Sequence, residues 1–576
     1  MERILLVEPN YKNKYPPIGL MKISTYFKSR GSFVLFHKGL LPQIEVASFD
    51  KVLITTLFTF DFKMCLETVR YYVAIVGIEN VFVGGIAATI MPERFRAEVS
   101  GLQVLEGQLT SSNLLGYSDN VNVDILELDY DILWDISYTY PSADSYFIYT
   151  SRGCPRKCSF CAVKTLEPHF LECQNIQEQI TRVDARFGIK KQLLIMDNNI
   201  LYSKCVSDTV GILDELGFGA KNNTIKKSYN MPYYLCSLWE RRAIGKRYGH
   251  LLNRIKQDFQ KLTFSRINAK DLDMLTPALE YINANDDVNF VNYLRDKQED
   301  IEGFYSRYNY HKIKRYVDFN QGLDARLLTK DKADLLARLA VKPCRIAFDD
   351  INTKDDYFNA LDIAVDAGLQ YFSNYLLYNF EETPEDLWTR LSLNVEYCQN
   401  NKEVRSLFSF PMKYASIAHV DRNYIGRYWN KKYLKSVNVI LNVTNGVVAK
   451  EKDFFVRAFG ENTDEFLEIL TMPDDFIRYR DYFEQHGLVQ KWHDLYKGLT
   501  KDAKQELLNM LSNVAAETQV SDILHSSELN TILQFYTVKK NMMEKNKRYY
   551  LRKFADVLSS DIRNVAVDFV GASKNI

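Results

Sequence analysis

The sequence predicts an α/β protein of several domains, and three observations carry that expectation. Short apolar runs alternate with helical stretches over about the first 110 residues. The alternation resumes from Asp144 with polar groups at each strand end, and helical periodicity dominates from about Ala415. At 576 residues, three or four domains are expected from a prior of roughly 150 residues each. The shifts divide the chain into a doubly wound, Rossmann-like domain at 1–110, a connector at 111–143, and a second α/β domain in two parts, 144–201 and 315–414. An insertion fills 202–314, and a helical C-terminal domain covers 415–576.

Composition sets the class without choosing a partner. The chain is 46% hydrophobic and 25% charged, an ordinary soluble balance, and its 73 basic and 73 acidic residues cancel. The nine cysteines are scattered apart from one triplet, and the opening "MERILLVEPN" lacks a charged segment followed by a signal-type apolar run. No stretch reaches the ~18 consecutive apolar residues of a membrane span. A cytoplasmic protein with no membrane partner is expected.

Taken in order, "RILLVE" from Arg3 to Glu8 reads as a buried parallel strand. Pro16, Pro17 and Gly19 mark a loop, and Leu20, Ile23, Tyr26 and Phe27 fall at helical spacing before Gly31. "KVLITT" and Val81 to Val83 are further strands, the latter ending at Gly84-Gly85. That glycine pair is not a dinucleotide loop of the G-x-G-x-x-G kind. The connector is polar, acidic and aromatic. Beyond it, Tyr146 to Thr150 reads as a strand and Gln174 to Phe187 as a helix, and "QLLIMDNN" ends a strand in Asp197, Asn198 and Asn199. "YVDFNQGLDARLL" brings Asn320, Gln321, Asp324 and Arg326 to the next strand end, and "CRIAFDD" brings Asp349 and Asp350 to another. "YFSNYLLYNFEETPEDLWTR" holds Asn379, Glu381, Glu382 and Thr383, and Ser406 to Tyr414 is the last strand. Functional groups gather at such carboxyl ends in parallel α/β folds.

The first of these strands runs into "YTSRGCPRKCSFCAVKTLEP", which sets Cys154, Cys158 and Cys161 in a C-x3-C-x2-C triplet. Three thiolates from one short loop hold three corners of a cubane and leave the fourth iron without a protein ligand. Clusters that only pass electrons, and structural zinc sites, usually take four protein ligands. A zinc half-site completed by His169, or unliganded thiols, are the alternatives. The triplet, with Phe160 immediately before its third cysteine, resembles the radical S-adenosylmethionine (radical SAM) superfamily. "YPPIGLMKISTYFKSRG", "VFVGGIAATIMPE" and "LEGQLT" resemble loops of the B12-binding-type domain that precedes the barrel in one branch of that superfamily.

The resemblance implies a partial (β/α)6 barrel, a [4Fe-4S] cluster on Cys154, Cys158 and Cys161, and S-adenosylmethionine chelated at the open iron. It implies a flavodoxin or ferredoxin-type reductant, and a 5'-deoxyadenosyl radical that abstracts hydrogen. It assigns cofactor contacts to Phe160, to Asp197, Asn198 and Asn199 at the amino group, to Gln321, Asp324 and Arg326 at the ribose and carboxylate, and to Asn379 and Glu382 beside the adenine. Two departures stand out. The Gly-Gly-Glu motif is replaced by Asp197-Asn198-Asn199, and Asn379 occupies the place of a glycine. The cobalt-ligating histidine loop of cobalamin binders is absent as well, and His37 reads as a strand or turn residue. Cobalamin is therefore an alternative rather than an expectation.

Two features bear on the substrate. Trp239 to Arg266, Phe304 to Tyr316, Arg422 to Lys435 and Lys539 to Phe554 interleave Lys and Arg with aromatics, the pattern that suits a phosphate backbone with stackable bases. A solvated helical face with its apolar side on the fold is the plainer reading. The leading expectation is a radical SAM enzyme acting on a large substrate of RNA or DNA type. The alternatives are a cobalamin-dependent radical SAM methyltransferase on a small metabolite, and a non-catalytic nucleic-acid-binding protein with a structural metal. Cys173, Cys205, Cys236, Cys344 and Cys398 are singly placed and read as core or loop thiols, and Cys65 as a buried helix residue.

Overall fold

Five short strands, each an apolar run bounded by turn residues, build the first sheet: β1 (Arg3–Glu8), β2 (Phe33–Lys38), β3 (Lys51–Thr56), β4 (Val81–Gly85) and β5 (Gln103–Val104). The architecture is that of a computed structural model, which describes residues 1–172, 175–227, 230–262, 267–308, 311–513, 527–546 and 549. All neighbours in this sheet are parallel and their order is β2-β1-β3-β4-β5, so the chain reverses direction across the sheet between β1 and β3. In open α/β sheets such a switch point is where ligands bind, beyond the carboxyl ends of the strands. Helix α1 (Ile18–Ser29) crosses from β1 to β2, burying Leu20, Met21, Ser24, Tyr26 and Phe27. His37 stands in β2, and Cys65 is fully buried in the helix Phe62–Val76.

The chain divides into two compact units. The first is Met1–Arg345 with Ala360–Leu369 and Ala415–Asn423, and the second is Ile346–Asn359 with Gln370–Tyr414 and the chain from Tyr424. The first unit carries a second parallel sheet of β6 (Ser145–Ile148), β7 (Gln192–Ile195) and β10 (Tyr316–Phe319), with β7 in the centre. Between β7 and β10 the chain leaves through β8 (Thr224–Lys227) and returns through β9 (His311–Lys314), an antiparallel pair. This pair is the neck of a helical module that has its own core, in which Leu235, Leu238, Leu252, Ile255, Phe259 and Phe290 are buried.

That module explains the basic, aromatic stretches of the insertion. Arg241, 1% exposed, donates to Asp131 and Asp135 of the connector, and Lys246 pairs with Asp135 at 2.9 Å. Arg247 pairs with Glu45 at 2.7 Å, Lys256 with Asp287, and Arg307 with Asp271 at 3.2 Å, while Trp239 Nε1 donates to Gln298. These cations hold the module together and tie it to the connector; residues 263–266 and 309–310 of the two stretches lie outside the described residues. The fourth expected strand opens with β11 (Cys344–Arg345), where Arg345 forms a bidentate pair with Asp318 at 2.7 and 2.9 Å. "AFDD" carries the pairing on, with Ile346 N donating to Ser373 O at 3.0 Å and Phe348 N to Tyr375 O at 3.1 Å, before Asp350 caps the 3-10 turn Ile351–Thr353.

In the second unit, β12 (Tyr371–Tyr378) and β13 (Ser406–Lys413) are parallel, and the helix Pro384–Asn400 between them opens with a capping box of Thr383 and Asp386. Helices follow from Lys431 onward, as the periodicity predicts. Lys432 and Lys435 both pair with Asp474 at 2.7 Å, so this basic stretch too is partly spent on packing. Of the expected stretch from Lys539 to Phe554, residues 547–548 and 550–554 lie outside the described residues. Among the described residues, no helix is long and apolar enough to cross a membrane.

Candidate functional site

The cysteine loop leaves the carboxyl end of β6 and is closed at its base by paired backbone bonds. Arg152 N donates to Leu171 O and Leu171 N to Arg152 O, both at 2.9 Å. Asp197, just past β7, fastens the entry to the loop. Its buried carboxylate accepts from the backbone and hydroxyl of both Thr150 and Ser151, at 2.5 to 2.7 Å. Burial pushes this carboxyl up, and the hydrogen bonds from Ser151 and Thr150 only partly offset that. Its side chain is thus committed to the loop, and the sequence alone gave it a different expected partner.

Gly153 makes the next turn. Its φ is +77°, and a Cβ there would fall 2.2 Å from the carbonyl oxygen of His169. Its N–H donates to Glu167 Oε2 at 2.6 Å, and Asn198 Nδ2 donates to the same oxygen at 2.7 Å. Gly153→Ala is therefore expected to cost about 1–3 kcal/mol, the price of a forced left-handed residue. Urea unfolding checks the loss, and faster alkylation of Cys154, Cys158 and Cys161 than in the parent protein checks that the loop has loosened.

Cys154, Cys158 and Cys161 are half-buried and in no disulfide, with Cys161 N donating to Cys158 O in a tight turn. Phe160 is half-buried between them in sequence. Asn199 Nδ2 lies 3.7 Å from Cys154 Sγ and 3.4 Å from Asp324 Oδ2. Asp324 also takes the Nε of Arg156, from the cysteine loop, and of Arg326, the latter at 2.7 Å. Burial alone would raise the Asp324 carboxyl; hydrogen bonds from Arg326 and Arg156 outweigh it and hold the group below its ordinary range. Asn199, Asp324 and Arg326 are thus brought together against Cys154 and Arg156.

The fit to an iron-sulfur cluster can be judged from these residues. Asn199 Oδ1, beside Cys154, is buried without a partner. Among the described residues, no group of three His, Cys, Asp or Glu side chains is gathered closely enough to hold a metal ion, so the thiols do not form a closed ligand set. In type and number they suit a cluster, with three cysteines on one loop and none of them in a disulfide. Of the other cysteines, Cys236 is exposed and free, Cys344 and Cys398 are buried and free, Cys205 is disulfide-bonded, and Cys173 lies outside the described residues.

A cavity of about 390 Å³ adjoins the base of the loop, between the carboxyl edges of the two sheets of the first unit. Thr55, Thr56, Gly84 and Gly85 line one side; Tyr149, Arg152, Glu167, Met196, Asn198 and Gln321 line the other. Gly85 is obligatory here: its φ is +96° and a Cβ would sit 2.4 Å from Thr56 O. Across the cavity runs a part-buried chain of ion pairs, Lys22 to Asp124 at 3.0 Å, Asp124 to Arg152 at 3.0 Å and Arg152 to Glu167 at 3.1 Å. Tyr15 donates to Asn320 Oδ1 at 2.6 Å at the end of β10. Sequence reasoning missed Lys22, Asp124, Arg152 and Glu167, because their significance lies in pairings across distant parts of the chain. The only signal was that Arg152 and Glu167 flank the triplet.

Asn379 and Glu382 belong to the second unit. Asn379 is fully buried with φ +71°, a conformation that glycine adopts freely and asparagine tolerates. Its Nδ2 donates to the carbonyls of Tyr414 and Tyr424, both at 3.0 Å, and its Oδ1 accepts from Gly426 N at 2.8 Å. Asparagine thus supplies the backbone geometry expected of glycine at this position and locks the loop with its side chain. Glu382 Oε1 accepts from Phe380 N at 3.3 Å, and burial pushes its carboxyl up.

No family model and no curated protein matches the chain. Five chains of solved structures do. One is the radical S-adenosylmethionine methyltransferase TsrM from Kitasatospora setae, with tryptophan substrate and a SAM analogue bound. It is 13% identical, covering 68% of this chain and 71% of that one, at a TM-score of 0.36. A likeness of that size transfers no residue roles.

Proposed function

We propose that the chain is a radical SAM enzyme in which Cys154, Cys158 and Cys161 hold a [4Fe-4S] cluster, reduced by a flavodoxin or ferredoxin-type donor. The observation that carries the reading is the set of three half-buried cysteines, none of them in a disulfide, on one loop at the carboxyl end of a parallel strand, with Asn199 and Asp324 packed against it. Bound there, the cluster would supply reductive cleavage of S-adenosylmethionine to methionine and a 5'-deoxyadenosyl radical. The residues around it have supporting tasks. Asp197 and Glu167 hold the two ends of the loop, and Asn199 directs an amide N–H at Cys154. The buried, unpartnered Asn199 Oδ1 is an acceptor suited to the ammonium of S-adenosylmethionine.

The substrate is proposed to be a small molecule in the cavity beside the loop. A volume of about 390 Å³ falls within the range of pockets that enclose a drug-sized ligand. The basic stretches that suggested nucleic acid have many of their cations in ion pairs within the fold. Anaerobic incubation of reconstituted protein with dithionite and S-adenosylmethionine tests the reading, with 5'-deoxyadenosine quantified by mass spectrometry. Deoxyadenosine is expected in proportion to bound iron. Protein carrying a full complement of iron and producing none contradicts it.

A further inference from the structure

Asn199 opens the 3-10 turn Ile200–Tyr202, and Tyr202 N donates to its carbonyl oxygen at 3.2 Å. An asparagine in that place ordinarily folds its side chain onto the backbone N–H groups of the turn it opens. Here the side chain makes no such cap bond and is directed at the cysteine loop instead. The residue is only 4% exposed, a setting in which every polar atom of the amide calls for a partner.

Asp324 decides which end of that amide faces the loop. Its carboxylate takes the Nε of Arg156 and of Arg326 and can only accept. The end of the Asn199 amide 3.4 Å from Asp324 Oδ2 is therefore the donor, Nδ2. Nδ2 carries a second hydrogen, and Cys154 Sγ accepts it at 3.7 Å. Both hydrogens are then placed, and Oδ1 is left buried without a partner. Arg156 belongs to the cysteine loop, so one carboxylate ties the loop and the amide together and fixes the direction of the N–H in advance.

We propose, on the reading that Cys154, Cys158 and Cys161 hold the cluster, that Asn199 is a positioning residue that raises the cluster's reduction potential. It does so by donating an N–H to the Cys154 thiolate in a direction set by Asp324. Reduction adds one electron, supplied by the flavodoxin or ferredoxin-type donor, and neither makes nor breaks a bond in the protein. The added negative charge strengthens a hydrogen bond accepted at the ligand sulfur, so the N–H favours the reduced form. The demand on the reductant falls accordingly.

The test compares the reconstituted full-length parent with Asn199→Leu and Asn199→Met, two apolar replacements that remove the donor. S-adenosylmethionine is left out, so the acceptor Oδ1 plays no part. Midpoint potentials are read by electron paramagnetic resonance during an anaerobic redox titration. A variant with parental iron is expected to move the reduction equilibrium about tenfold toward the oxidised form, a fall of ~59 mV for one electron. In deuterium oxide, electron–nuclear double resonance of the reduced parent is expected to show an exchangeable deuteron coupled to the cluster that the variants lack, a difference that a merely structural role does not produce. A parental potential or the same deuteron coupling in a variant with parental iron overturns the proposal and leaves the cluster reading standing. Loss of iron from both variants does the same, since the amide then holds the cluster in place instead of setting its potential. A parent that takes up no iron overturns both.

Discussion

Arg241→Ala is expected to destabilise the first unit by about 3–5 kcal/mol, the cost of leaving buried carboxylates without one of their counterions. Arg241 donates to both Asp131 and Asp135, and it shares them with Lys28 and Lys246. Asp135 also accepts from Phe36 N in β2, so the network joins the insertion module, the connector and the first sheet. Removing the guanidinium exposes every one of those links. The urea midpoint is the measurement, with the exposed pair Arg70 and Glu98 as the contrast, since their side chains are 54% and 44% accessible. Arg70→Ala is expected to cost under about 1 kcal/mol. Equal losses in the two variants contradict the assignment of Arg241 as a buried tie.

The second large effect concerns the triplet. Cys158→Ala is expected to lower iron in the reconstituted protein from about four per chain to well under one, because a cubane held at three corners cannot spare one. Deoxyadenosine formation is expected to fall with it, by at least about a hundredfold, or ~2.7 kcal/mol at 1.36 kcal/mol per tenfold. Cys236→Ala, which removes an exposed free thiol, is expected to change neither quantity. Loss of iron in both variants contradicts the placement of the cluster on the triplet.

Much of the framework was legible because its signals are local. "RILLVE" and "KVLITT" became β1 and β3 with the same bounds, since continuous apolar runs between turn residues have few alternatives to a buried parallel strand. "CRIAFDD" keeps a looser ladder, β11 followed by single bonds from Ile346 N to Ser373 O and Phe348 N to Tyr375 O, and ends where Asp350 caps a turn. The charged segments were harder. Arg241 and Lys246 sit in a stretch that reads as a basic surface, and only the fold reveals that Asp131 and Asp135 lie opposite them. The same limit hid the ion-pair chain of Lys22, Asp124, Arg152 and Glu167: Lys22 and Asp124 stand 102 positions apart and carry no mark of their pairing. Asn379 shows the reverse case, in which a lost glycine put the turn in doubt and a positive φ restores it.

The claim at the centre is that three thiols hold a cluster with one open iron. Electron paramagnetic resonance of the anaerobically reconstituted, dithionite-reduced protein, with and without S-adenosylmethionine and alongside iron and sulfide analysis, tests it most directly. The expected result is about four irons per chain and a reduced-cluster signal that changes shape when S-adenosylmethionine binds at the open iron. Bound zinc in place of iron, or a cluster signal that S-adenosylmethionine leaves untouched, contradicts it.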